Sequence, residues 1–95
     1  MPGVRKHLII RGRVQGVFYR VSFQERAFAL DVTGWVKNNY EGSVEAVIEG
    51  SEGSIDKLIK WCYHGPRGAS VTDVEVKSEE HTGSFNTLSI KHGGW

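Results

Sequence analysis

The segment from residue 12 to residue 20 combines two glycines with two arginines between a predicted strand and a predicted helix. Glycines at Gly12 and Gly16 allow successive backbone N–H groups to point to one side as an anion-binding nest, and a helix start adds partial positive charge. Arg20 offers a planar fork of donors that can grip two phosphate oxygens. The segment therefore indicates a phosphate-binding loop, although a plain strand-to-helix turn is the commoner meaning of two such glycines.

A second segment, residues 34–38, reads Gly-Trp-Val-Lys-Asn. Taken alone, Asn38 and the following Asn39 have the ordinary role of asparagine at a hairpin turn. Trp35 is then a partly buried packing residue, and Lys37 is a solvated strand residue that flanks Asn38. This segment by itself favours a turn over a site.

Composition restricts the remaining possibilities. The 95 residues are 39% hydrophobic and 24% charged, which is typical of a folded globular protein, so we expect one domain over residues 1–95. Residues 1–24 hold five Lys or Arg and no acid, which concentrates positive potential there and makes an anionic ligand plausible. No apolar run is long enough for a signal peptide or membrane helix, so we expect a cytoplasmic protein with no membrane partner. We also expect a monomer.

Cysteine and histidine chemistry is not indicated. Cys62 is the single cysteine, and it falls in an apolar helical stripe, which predicts a packed core thiol rather than a nucleophile. The histidines show no metal-ligand spacing, and we interpret them as surface or strand-face residues: His7, His64, His81 and His92. We therefore predict neither a metal nor another cofactor.

The first half of the chain predicts a strand, a helix and a hairpin. Leu8 and Ile10 alternate with their neighbours and indicate a strand that ends in a loop at Gly12. The helix that follows begins either at Tyr19, where a helical apolar period starts, or at Ser22, which matches a capping box. Residues 33–39 and 43–49 then form two strands joined by Tyr40, Glu41 and Gly42.

The second half predicts a helix and two strands. An amphipathic stripe of Ile55, Leu58, Ile59 and Cys62 marks the helix, with Ser54 as its cap and Gly65-Pro66 as its stop. Alternating strands follow around residues 74–77 and 88–91, separated by a polar turn. The order βαββαββ predicts an α+β sandwich with a ferredoxin-like βαββαβ core, an added C-terminal strand, and an antiparallel sheet that carries both helices on one face. The tail of Gly93, Gly94 and Trp95 lies beyond the last strand.

Together, the two segments resemble the signatures of the acylphosphatase family in the same chain order. The first signature matches at Gly12, Val14, Gln15, Gly16, Val17 and Arg20, and the second at Gly34, Trp35, Val36, Lys37, Asn38, Gly42, Val44 and Gly50. Gly65-Pro66 and residues 71–76 also resemble that family. This chain differs in having Tyr19 where phenylalanine is usual and Phe18 where a small residue is frequent, which makes the outer wall of the loop bulkier.

The resemblance implies hydrolysis of acyl phosphates to a carboxylate and inorganic phosphate without a metal. It implies that Arg20 and the backbone N–H groups of Gln15, Gly16, Val17, Phe18 and Tyr19 bind the phosphoryl group. It also implies that the side chain of Asn38 orients the attacking water, so that Arg20 and Asn38 are the catalytic residues. The expected partners are the small-molecule substrate and inorganic phosphate.

Two other functions share this element order. RNA-recognition domains carry stacking aromatics on their central strands, but Leu8-Ile9-Ile10 and residues 44–48 supply none, so we do not expect nucleic acid as a partner. A non-catalytic module of the same fold that binds phosphate or acyl phosphate is the remaining alternative. It would keep Arg20 and the loop but would not hydrolyse the substrate.

Overall fold

A computed structural model describes residues 3–92 of the chain, so the Gly93-Gly94-Trp95 tail lies outside the described residues. The elements are β1 (Val4–Arg13), α1 (Tyr19–Ala29), β2 (Thr33–Asn38), β3 (Val44–Gly50), α2 (Glu52–Cys62), β4 (Ser70–Glu79) and β5 (Leu88–Lys91). The predicted order βαββαββ is confirmed.

The strands form one five-stranded sheet in the order β4-β1-β3-β2-β5. Three pairings are antiparallel, but β5 runs parallel to β2, so the sheet is mixed and the expectation of a wholly antiparallel sheet is wrong at this edge. The reason is the direction of the strands. The chain does not return beside β4 after the last turn but crosses to the other edge of the sheet, where β5 lies beside β2 and runs in the same direction as β2. Otherwise the predicted α+β fold with a βαββαβ core and an added strand is confirmed.

Both helices cover one face of the sheet. Leu8, Ile10 and Ala46 are fully buried on alternate positions of β1 and β3. They belong to the same core cluster as Phe23 of α1 and Leu58 of α2. Burial of these side chains supplies the main favourable contribution to stability, at roughly 1.5–3 kcal/mol for each fully buried large aliphatic or aromatic residue.

The two helix starts differ from the predicted caps. Helix α1 begins at Tyr19, as its apolar period predicted, so the capping box at Ser22 is wrong and Ser22 lies inside the first turn. Helix α2 is capped by Ser51, whose hydroxyl accepts a hydrogen bond from the N–H of Ser54 at 3.3 Å. Ser54 is therefore a helix residue and not the cap, because its N–H supplies the donor that a cap must satisfy.

The opposite face of the sheet is covered by charged side chains. Ion pairs cross between strands along this face: Arg5 with Glu49 and Glu79, His7 with Glu45, Lys37 with Glu45, and Arg11 with Asp73 and Glu75. Trp35 lies on the same face with the ammonium group of Lys91 4.5 Å from the centre of its ring. This alternation of buried and charged positions explains why the sheet has helices on one side only.

Glu49 fastens the long connection that carries the chain from β4 to β5. Its carboxylate is 2% exposed and accepts hydrogen bonds from Thr82 N–H at 2.9 Å, Thr82 Oγ1 at 3.1 Å, Gly83 N–H at 3.0 Å and Arg5 Nη1 at 3.3 Å. His81 Nε2 lies 3.7 Å away. Burial alone would raise the pKa of Glu49, but the bonds from Thr82, Arg5 and Gly83 outweigh it and hold the pKa below its usual value.

We expect Glu49→Gln to lower the free energy of unfolding at pH 7 by roughly 1–3 kcal/mol, the range for a buried hydrogen-bonded charge. A depressed folded-state pKa contributes stability above the unfolded value of about 4.3, and this contribution is lost as pH falls through the folded value. Denaturant melts between pH 7 and pH 3 should therefore show that the free energy of unfolding of the variant falls less steeply with decreasing pH than that of the wild type. Glu79→Gln is the matched control, because that exposed partner of Arg5 should change stability by less than about 1 kcal/mol. The same pH dependence of the free energy of unfolding in wild type and Glu49→Gln would contradict the expectation.

Candidate functional site

The loop between β1 and α1 has a backbone that favours anion binding. Gly16 and Phe18 have positive φ angles of 73° and 62°, and Val17 between them does not. Alternation of this kind turns neighbouring N–H groups toward the same side. Gly16 has open space around its missing Cβ, so its φ angle rather than crowding requires glycine.

The start of α1 receives no side-chain cap from the described part of the chain. Phe18 is the N-cap residue and makes no side-chain cap hydrogen bond, while its carbonyl accepts from Ser22 N–H at 3.1 Å. The first N–H groups of a helix have no acceptor within the helix, and they carry its partial positive charge. The loop and the helix start therefore form one cluster of backbone donors.

Tyr19 ties this helix start to the end of α2. Its hydroxyl donates a 2.7 Å hydrogen bond to the carbonyl of Cys62, and its ring lies 5.2 Å from that of Trp61. Burial raises the pKa of the Tyr19 hydroxyl, which stays protonated and keeps donating. The tyrosine that distinguishes this chain from the usual phenylalanine therefore adds a buried hydrogen bond behind the loop.

Gln15 ties the loop to the hairpin. Its amide nitrogen donates to the carbonyls of Asn39 at 2.7 Å and Ser43 at 2.9 Å, which lie on either side of the β2–β3 turn. These bonds explain why the loop and the end of β2 lie together. The side chain of Gln15 is thus directed at the hairpin and not at the pocket described next.

A pocket of about 240 Å³ lies where the loop, α1 and β2 meet, and it is lined by Val14, Gly16, Phe18, Tyr19, Arg20, Val21 and Asn38. Asn38 is the last residue of β2, shares the helix-covered face with Val36, and is only 7% exposed. Arg20 lies in the first turn of α1. The topology therefore brings Arg20 and Asn38, which are 18 positions apart in the chain, into one cavity.

The guanidinium group of Arg20 is the most unusual feature of this pocket. Its Nη1 atom is buried but has no hydrogen-bond partner within residues 3–92. A buried charged donor without a partner is costly, and it is normally satisfied by an acceptor. Arg20 lines a cavity that also receives a helix N-terminus, so an anion bound there would lie beside both.

The predicted site residues divide into two groups. Gly16, Phe18, Tyr19, Arg20 and Asn38 line the pocket. Gln15 bonds to the hairpin and Val17 packs against the hydrophobic core, so neither lines it through its side chain. Val14 and Val21 also line the pocket. Val14 matched the first signature but was assigned no role, and Val21 was not selected from the sequence, although it stands three positions after Phe18, the spacing that puts two residues on one face of a helix.

The structure also bears on the cysteine, metal and membrane functions that the sequence did not predict. Cys62 is fully buried, as predicted, and burial raises the pKa of its thiol to about 12, so it carries no thiolate at neutral pH. Within residues 3–92 no group of three His, Cys, Asp or Glu side chains is arranged to hold a metal ion. In the same part of the chain, no helix is long and apolar enough to cross a membrane.

The match to known proteins covers nearly all of the described chain. A sequence profile of the acylphosphatase family matches residues 6–90. The chain belongs to the acylphosphatase family. Its match to an acylphosphatase from Pelotomaculum thermopropionicum is 41% identical over 95% of this chain and 98% of that protein. An acylphosphatase from Chloroflexus aurantiacus is 49% identical over 95% of this chain and 98% of its own length.

The fold agrees with this membership. The solved structure of an acylphosphatase from Coxiella burnetii superposes with a TM-score of 0.90 at 34% identity, and the match covers 95% of this chain and 94% of that one. The sequence profile and the backbone superposition therefore agree on the acylphosphatase family. The ferredoxin-like arrangement predicted from the element order is the one these family members have.

Proposed function

We propose that this protein is an acylphosphatase that hydrolyses the carboxyl-phosphate bond of acyl phosphates. The single observation that carries the proposal is the pocket in which the unpartnered Arg20 Nη1, the start of α1 and Asn38 meet. Family membership and relatives that match over nearly their whole length support the same reaction. The products are a carboxylate and inorganic phosphate.

In the proposed mechanism the phosphoryl group lies against the loop N–H groups of residues 15–19 and the fork of Arg20. Phosphoryl transfer has a loose transition state with charge spread over three equatorial oxygens, so correctly placed donors supply most of the catalysis. The loop donors are suited to that charge because the φ angles of Gly16 and Phe18 already turn them to one side, and Arg20 adds a full positive charge. Their position at a helix start adds a favourable field.

The reaction needs no general acid. The oxygen of water forms the new bond to phosphorus, the bond from phosphorus to the carboxyl oxygen breaks, and the carboxylate leaves with the electron pair. The conjugate acid of this leaving group has a pKa of roughly 4, so it departs unprotonated at neutral pH. An alkyl phosphate would instead release a poor alkoxide, which normally requires an acid or a metal.

Asn38 orients the attacking water in this scheme. A neutral amide accepts a hydrogen bond through its oxygen but does not take up a proton at neutral pH, so its contribution is geometric. The proton released from water passes to a phosphate oxygen or to solvent. A pH–rate profile that revealed an ionising protein base would contradict this assignment.

We further propose a monomeric, cytoplasmic enzyme that needs neither a metal nor another cofactor, and whose partners are the acyl phosphate and inorganic phosphate. The buried, unpaired Cys62 fits a reducing compartment, where thiols remain free. The ion pairs on the open face of the sheet fit a monomer, since the charged side chains of this face already pair with one another.

The deciding test is phosphate release from benzoyl phosphate by the wild-type protein in the presence of EDTA. We expect turnover well above the uncatalysed rate, with no loss in the chelator, and no turnover of p-nitrophenyl phosphate or other phosphate monoesters at comparable enzyme concentration. A protein that binds inorganic phosphate but does not release it from benzoyl phosphate would instead be a binding module.

A further inference from the structure

Two exposed apolar side chains stand at the mouth of the pocket. Phe18 is 79% exposed and Val21 is 48% exposed, and both line the cavity that contains Arg20 and Asn38. Asn38 is only 7% exposed, so the pocket has a buried end, which contains this amide, and an open apolar end. Large apolar side chains in soluble proteins are usually buried, and an exposed group of them beside a polar cavity marks a binding surface.

The backbone at Phe18 gives a second reason to assign it a role. Phe18 has φ 62° and ψ 27°, a left-handed conformation that is unfavourable for a bulky residue. It also holds the N-cap position, where Ser, Thr, Asp or Asn would stabilise the helix. A phenylalanine here violates local preferences for backbone, cap and burial together, and such conflicts are typical of functional sites.

We propose that Phe18 and Val21 bind the acyl group of the substrate and select acyl phosphates whose acyl part is apolar, such as an aryl or branched alkyl group. This inference rests on the proposed acylphosphatase function. An in-line displacement places the leaving group opposite the attacking oxygen. With the water at Asn38 in the buried end, the leaving carboxylate and its apolar substituent lie toward Phe18 and Val21 at the open end.

The test compares benzoyl phosphate with acetyl phosphate through the ratio of their kcat/KM values. This ratio does not depend on how much of each preparation is folded, since both substrates meet the same enzyme. In Phe18→Asn the new residue tolerates the left-handed conformation and can cap the helix, so we expect it to fold. We expect the benzoyl-to-acetyl ratio to fall about tenfold, and about twofold in Val21→Thr, in line with the apolar contact that each change removes.

Tyr40→Asn is the matched control, because Tyr40 is 84% exposed but does not line the pocket. Its ratio should equal that of the wild type. An unchanged ratio in both Phe18→Asn and Val21→Thr, with a wild type active on both substrates, would overturn this inference alone. A wild type that hydrolyses neither substrate would overturn the proposed function and the inference with it.

Discussion

Replacing Arg20 with alanine is expected to lower kcat/KM for benzoyl phosphate by roughly a hundredfold to a thousandfold, the range for removal of a transition-state donor. The reason is that Arg20 lines the pocket and that its Nη1 is buried without a partner within residues 3–92. Its hydrogen bonds would therefore form with the substrate rather than with the protein. Steady-state release of phosphate measures the loss directly.

The same observation predicts that Arg20→Ala does not destabilise the protein. A buried charge without a partner costs free energy in the folded state, so its removal should leave the free energy of unfolding equal to or slightly above that of the wild type. Arg26→Ala is a matched control on the same helix, because Arg26 is exposed and lies outside this pocket. Denaturant melts of the three proteins separate lost catalysis from lost folding.

Inorganic phosphate supplies an independent readout. A ligand that binds the folded state raises the melting temperature in proportion to the logarithm of its concentration above Kd. We expect phosphate to raise the melting temperature of the wild type and of Arg26→Ala, but not that of Arg20→Ala. Full activity in Arg20→Ala, or an undiminished phosphate shift, would show that this arginine does not hold the phosphoryl group.

Replacing Asn38 with alanine is expected to lower kcat about a hundredfold, with KM changed by less than about threefold. Asn38 is buried at the inner end of the pocket, and in the proposed mechanism its amide fixes the water that attacks phosphorus. Loss of orientation slows the chemical step but leaves the phosphate contacts of Arg20 and the loop in place. Separate values of kcat and KM for benzoyl phosphate distinguish this from the effect of Arg20→Ala.

Asn39→Ala controls for the loss of an amide from the same hairpin. The side chain of Asn39 donates to Ser43 Oγ at 3.0 Å and does not line the pocket. We expect its kcat to remain within about threefold of the wild type, since only the turn is affected. A rise in KM for Asn38→Ala that matched its fall in kcat/KM would assign Asn38 to substrate binding instead of water placement.

The sequence predicted the elements better than their ends. Apolar periods located α1 and α2 because the buried stripe that produces them also stabilises the helices. The caps were wrong because a serine near a helix start satisfies the motif whether or not its hydroxyl reaches an N–H group: Ser51 caps α2, while Ser22 and Ser54 lie within helices. The parallel pairing of β5 depends on which sheet edge is open, and this long-range property leaves no local pattern.

The site, like the fold, could be predicted only in part from the sequence. Arg20 and Asn38 could be selected through the resemblance of their segments to the acylphosphatase signatures, and the structure places both in one pocket. The bonds that hold the segments together could not be read from spacing, because Gln15 bonds to carbonyls and Tyr19 to the carbonyl of Cys62. Every residue has a backbone carbonyl, so the sequence does not show which carbonyls will accept these hydrogen bonds.

The separation of β4 and β5 to opposite edges of the sheet also affects aggregation. A free strand edge can recruit an edge from another molecule, and natural proteins limit this with short strands and charged side chains. The β4 edge carries Asp73, Glu75, Lys77 and Glu79 on alternate positions, and β5 has only four residues. Both edges of this sheet are therefore poor templates for a second chain, which favours a protein that remains dispersed at high concentration.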